Sequence, residues 1–214
     1  MSAREEILGR VSAALSGVPR SAPGATSIPR EYATTSAAHV DDVAALFVER
    51  VEDYRAVVTR VSEDGLPAAV AVTLGQAHRI VVPAGLPSSW LAALDGVETV
   101  TDDGALSPAD LDALDGVLTA AAVGIAVTGT IVLDHGPDQG RRALTLVPDL
   151  HVCVVRTDQL VGDVPEGVAR LAAAVAAGSP LTWISGPSAT SDIELERVEG
   201  VHGPRTLRVL VVAD

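Results

Sequence analysis

The chain has no lysine; all 15 of its basic residues are arginine. That excludes Schiff-base chemistry and a lysine general base, both of which need a primary amine. One cysteine, Cys153, is present among 214 residues. A single thiol makes no internal disulfide, thiolate zinc site or all-cysteine iron–sulfur cluster, so no cofactor is expected in this chain and a cytoplasmic setting is the simplest. Aromatic residues are only 2%, which leaves no platforms for stacking bases. With 28 acidic residues the formal net charge is −13, the wrong sign for phosphate-backbone binding. No uninterrupted apolar run reaches the roughly 18 residues a membrane span needs, and the opening MSAREEILGR has no apolar stretch of the secretory kind.

What is present is aliphatic. The hydrophobic fraction is 48%, enough for one substantial core built from valine, leucine, isoleucine and alanine. The segment Asp95 to Asp115 holds seven acidic residues and no arginine; it reads either as a solvated surface or as a face for a basic partner.

The pattern predicts a helix over 2–15, opened by the capping box Ser2 and Glu5 and carrying Ile7, Leu8, Val11 and Leu15 on one face. A linker rich in proline, serine and glycine follows to residue 36. Residues 1–36 thus form an arm and 37–214 the main domain. Within the domain, helices are expected over 40–53, 66–77, 88–94, 107–114 and 165–177. Short apolar strands are expected over 55–61, 79–83, 97–101, 117–121, 130–133, 151–155, 181–185 and 207–212. Strands that do not alternate imply burial on both faces, hence a mostly parallel sheet between helix layers, an α/β/α sandwich.

Four segments carry candidate chemistry. Gly124 to Thr130, GIAVTGT, has the glycine spacing of a phosphate loop but threonine where lysine is required. It reads as a tight turn between buried strands or, through Thr128, Gly129 and Thr130, as an anion cradle of backbone N–H groups. Arg141 and Arg142 end the turn GPDQGRR; a guanidinium fork suits a carboxylate or phosphate, or serves as counterion to Asp134, Asp138 and Asp149. Gly186-Pro187-Ser188-Ala189-Thr190-Ser191-Asp192-Ile193-Glu194 leaves a strand sharply. Its hydroxyls can cap a helical turn, or it can build a site at the carboxyl edge of the sheet, where ligands of open α/β folds collect. His202, flanked by Gly200-Val201 and Gly203-Pro204, is an accessible acid–base group or a turn histidine. The other histidines lack paired metal spacing, so no metal site is expected.

The third and fourth segments together form a recognisable set. GPSATSDIE, then GVHGP and a terminal valine strand, resembles the lactate utilization protein C family (LutC/YkgG, the LUD domain). Ala126-Val127-Thr128-Gly129-Thr130 corresponds to that family's A-E-T-G-T. Arg142 and Thr145 to Val152 correspond to its arginine and S-L-x-P-x-x-H-I. The likeness runs from about residue 117 to the end. It implies a NagB/RpiA/CoA-transferase-like, Rossmann-like sheet and an accessory role beside two iron–sulfur proteins that oxidise L-lactate to pyruvate. Two positions depart from the pattern: Ala189 replaces arginine and Val127 replaces glutamate. Two other readings stay open. One is a small-acid or CoA-ester transferase or isomerase, with Asp192 or Glu194 as nucleophile or base, His202 as acid–base group, and Thr128 to Thr130, Arg141, Arg142, Gly186, Pro187, Ser188, Thr190 and Gly203 holding an anionic ligand. The other is a non-catalytic scaffold whose arm, residues 1–36, docks on another subunit or a second copy, in a heteromer or a homo-oligomer.

Overall fold

The computed structural model describes residues 2–17, 31–35, 40–191, 197–199 and 202–213. Two compact units divide the chain, Met1–Tyr32 and Ala33–Asp214. In the first, helix α1 (Ala3–Ala14) begins with the reciprocal cap expected from sequence. Ser2 Oγ accepts the Glu5 N–H, and Glu5 Oε2 accepts the Ser2 N–H at 2.7 Å. No residue of α1 is buried, and Ile7, Leu8, Val11 and Leu15 remain about half exposed or more.

The second unit runs α2 (Val40–Asp53), β1 (Val57–Ser62), α3 (Leu66–Leu74), β2 (Arg79–Pro83), β3 (Glu98–Asp102), α4 (Pro108–Asp112), β4 (Gly116–Ala120), β5 (Val123–Ile125), β6 (Thr130–Leu133), β7 (Leu150–Arg156), β8 (Leu160–Val161), α5 (Val164–Arg170), α6 (Ala172–Ala176), β9 (Thr182–Ile184), β10 (Ala189–Ser191), β11 (Arg197–Glu199) and β12 (Thr206–Ala213). Single 3₁₀ turns lie at Ser88–Leu91, Arg142–Thr145 and Thr157–Gln159.

Six strands form the main sheet in the order β1-β12-β7-β4-β2-β3, and every neighbouring pair is parallel. Side chains alternate between its faces. Val152, Val154, Leu210 and Val212 pack under α3, whose Leu66, Val70 and Leu74 repeat every four residues. Cys153, Val155, Leu207, Val209 and Val211 face the other way, against Phe47 and Val51 of α2. Burying a side chain such as Phe47 contributes about 1.5–3 kcal/mol. This double burial is the arrangement the non-alternating strands predict, and the fold is α/β.

The structure departs from the sequence reading in three places. The strands at 130–133 and 181–185 lie outside the parallel sheet, in a second sheet ordered β8-β5-β6-β9. There β6 pairs antiparallel with both β5 and β9, and this sheet supplies Ile131 and Leu133 to the core beside α2. The helix expected over 165–177 breaks into α5 and α6 at Leu171, a buried residue. Ser188 to Ser191 begin no helix: residues 189–191 are β10, antiparallel to β11. Among the described residues no helix is long and apolar enough to cross a membrane.

Candidate functional site

Two segments five residues apart in sequence meet through the β10–β11 pair, in which Ala189 is the register partner of Glu199 and Ser191 of Arg197. Just outside the pair, Ser188 N–H donates to Pro204 O at 2.8 Å and Ser188 Oγ accepts the His202 N–H at 3.0 Å. Gly186 allows the chain to enter this arrangement. Its φ is +83°, and a Cβ there would lie 2.5 Å from the Tyr54 Cβ.

The joined segments wall a cavity of about 220 Å³ together with Arg142, Thr145, His151, Leu207 and residues 182–185. His151 and Leu207 are register partners, each one residue into its strand. The cavity therefore sits near the amino-terminal ends of β7 and β12. This corrects the expectation of a site at the carboxyl edge. The physical reason is that residues 186–188 leave β9 of the smaller sheet, so the rule for parallel-strand exits does not govern them. At the carboxyl ends lies a different cavity of about 250 Å³, lined by Trp90, Ala120, Asp138, Arg156 and Gln159 among others. None of the sequence candidates lines it.

Gly186, Pro187, Ser188, His202, Gly203 and Arg142 all line the first cavity. Thr128 and Thr130 stand behind it: Thr130 Oγ1 lies 2.8 Å from both Thr128 Oγ1 and Ser185 Oγ, and Ser185 reaches the cavity wall. The turn they flank is tight. Gly129 has φ +57°, and a Cβ there would fall 2.6 Å from the Arg50 backbone carbon. Three of the loop's amides are committed within the chain. Ala126 N–H donates to Val161 O, Val127 N–H to Gly162 O and Gly129 N–H to Ala126 O, so the anion-cradle reading loses those three donors. Thr190 lies in β10. Asp192 and Glu194 fall outside the described residues.

The adjacent arginines part company. Arg141 forks onto Asp102, with Nε and Nη2 bonds of 3.0 and 2.9 Å, and also donates to Leu106 O. Its counterion is thus Asp102 at the end of β3, rather than Asp134, Asp138 or Asp149. Arg142 Nη1 instead donates to Thr145 O at 3.0 Å and Thr145 Oγ1 at 3.3 Å.

The residue that reasoning from motif chemistry passed over is His151. It is 1% exposed, and its Nε2 lies 2.8 Å from Thr119 Oγ1. Burial, followed by the nearby Arg142 charge, pushes its pKa down to about 3, so the ring is neutral at physiological pH. Its signal in the sequence was the motif running from Thr145 to Val152, read for likeness and not for chemistry. β9 is held against the site by His135, whose Nε2 lies 2.8 Å from Thr182 Oγ1. Among the described residues no group of three or more His, Cys, Asp or Glu is placed to hold a metal ion.

Comparison with known proteins matches the LUD domain to residues 97–212. A Deinococcus radiodurans protein named lactate utilization protein C is 57% identical over 166 residues, 78% of this chain and 77% of that protein. A Bacillus subtilis protein of the same name is 31% identical over 101 residues, 45% of this chain and 42% of that protein. The crystal structure of a DUF162 family protein from Deinococcus radiodurans superposes with TM-score 0.73 at 48% identity, covering 82% of this chain and 99% of that one. The sequence motifs, the parallel sheet and these matches agree, and the chain belongs to the LUD domain family, with lactate utilization protein C among its relatives.

Proposed function

We propose that this chain is an accessory subunit of an L-lactate-oxidising system whose iron–sulfur clusters reside in partner proteins. The observation that carries the reading is the 57% identity to lactate utilization protein C across most of both chains. The thiol inventory supports the division of labour. Cys153, the only cysteine of the sequence, is fully buried, so this chain offers no thiolate set for a cluster and electrons pass through other subunits. In this reading the setting is cytoplasmic, residues 37–214 form the working domain of NagB/RpiA-like type, and the arm 1–36 serves assembly.

The test is genetic and biochemical together. Deleting the gene abolishes growth on L-lactate while sparing growth on pyruvate, and the full chain restores it. The tagged full chain co-purifies with cysteine-rich iron–sulfur proteins. Undiminished growth on lactate overturns the reading.

A further inference from the structure

The cavity behind Ser188 and His202 has a chemistry that the accessory role leaves unexplained. Arg142 is the only arginine or acidic side chain among the described residues that line it. On a chain of net charge −13, a pocket wall with a guanidinium and no carboxylate is a local reversal of sign. Arg142 makes no ion pair among the described residues; its bonds go to Thr145 through one nitrogen, Nη1. Among the described residues the rest of its planar fork has no partner.

A second group points the same way. His151 is 99% buried, with Nε2 paired to Thr119 and, among the described residues, no partner at Nδ1. Among the described residues no fully enclosed side-chain nitrogen or oxygen lacks a partner. His151 itself lines the cavity, where a ligand oxygen or water can meet Nδ1. A polar atom on so buried a side chain, presented to a void, is the arrangement a recognition site requires.

Size and charge then select the ligand class. At about 220 Å³ the cavity falls below the usual range for drug-sized ligands. With His151 neutral, Arg142 supplies one permanent positive charge. One guanidinium fork matches one carboxylate, whereas a phosphate dianion would be left half neutralised. Ile184, Pro187, Pro204 and Leu207 offer apolar wall to a short carbon chain.

We infer that this cavity binds a short-chain monocarboxylate, its carboxylate on Arg142 and an oxygen substituent beside it on His151 Nδ1. The inference rests on the lactate-utilization reading for its choice of ligands and deepens it, placing a ligand of that class in this cavity.

The full chain reports on it directly, because Trp183 lines the cavity while Trp90 lies at the other one. Pyruvate, L-lactate, acetate, lactamide and inorganic phosphate are titrated against Trp183 fluorescence, with calorimetry in parallel. Pyruvate or L-lactate binds more tightly than acetate, and lactamide and phosphate bind weakly or not at all. Arg142→Gln weakens pyruvate binding by about tenfold or more, the loss expected for a charge-assisted pair. Arg142→Lys, which keeps the charge but not the fork, weakens it less and serves if the glutamine variant does not fold. Arg79→Gln, on an exposed pair with Glu98, leaves it unchanged. Absence of saturable binding, equal binding of lactamide, preference for phosphate, or unchanged affinity in both Arg142 variants each overturns the inference. Binding without a growth defect sinks only the lactate-utilization role; a growth defect without binding sinks only the carboxylate site.

Discussion

The backbone N–H of His202 donates to the hydroxyl of Ser188 across 3.0 Å, between residues 14 positions apart. With the Ser188 N–H bond to Pro204 O, it ties both walls of the cavity at the open end of the β10–β11 pair. Ser188→Ala removes the side-chain acceptor and keeps the backbone bond. Its expected cost is about 1 kcal/mol, read as a lower urea midpoint at unchanged slope. Carboxylate affinity at the cavity falls along with it.

His151 makes stability depend on pH. Its folded pKa is about 3, below the ordinary 6.5, because burial and then Arg142 disfavour the imidazolium. Between those values the unfolded chain binds a proton that the folded chain refuses. The contribution of this group is complete above pH 6.5 and is lost as pH falls towards 3. Carboxylates held low, such as Asp115 through the amides of Arg79 and His78, add the same sign at lower pH. Denaturation of His151→Gln between about pH 6 and 4.5 shows a shallower pH slope, by up to about one proton.

Cys153 is chemically silent in the folded chain. Burial pushes its thiol pKa up to about 12, and its side chain is enclosed between Thr119 and Ala120 O. Thiol reagents at mildly alkaline pH label it only after denaturant is added. Labelling of the native chain at the unfolded rate contradicts this enclosure.

Gly129→Ala is among the costly small substitutions. The left-handed φ of +57° and a clash at 2.6 Å with the Arg50 backbone act together, at roughly 2–4 kcal/mol. Thermal melting measures it. Gly96→Ala, also at positive φ but with open space around its Cβ, loses only the conformational part, about 1 kcal/mol.

Arg141 and Arg142 separate by function. The Asp102 side chain is 5% exposed and depends on Arg141, so Arg141→Gln costs roughly 2–3 kcal/mol, between the values for exposed and buried pairs. Arg142→Gln removes no ion pair among the described residues and changes stability by less than about 1 kcal/mol. Melting curves of the two variants distinguish them.

Much of this protein was legible in the sequence because it is local. The Ser2–Glu5 cap, the four-residue beat of Val43, Phe47 and Val51, and the apolar strands at 79–83, 151–155 and 207–212 depend on neighbours a few positions away. The motif set from Ala126 to Pro204 carries the family resemblance in runs of neighbouring residues. Tertiary structure decided what depends on distant partners. Thr130 to Leu133 and Thr182 to Ile184 look like strands of the main sheet, yet they pair with each other and with β5 in a second sheet, since an apolar strand does not specify its partner. Ser188 to Ser191 carry the residue types of a helix cap, yet extended pairing with residues 197–199 prevails. The site lies at the amino-terminal ends of β7 and β12 because β9 of the smaller sheet delivers residues 186–188 there. His151 becomes a buried neutral group with one nitrogen engaged only when Thr119, 32 residues away, meets it. No local pattern encodes that contact; only the parallel register of β4 and β7 makes it.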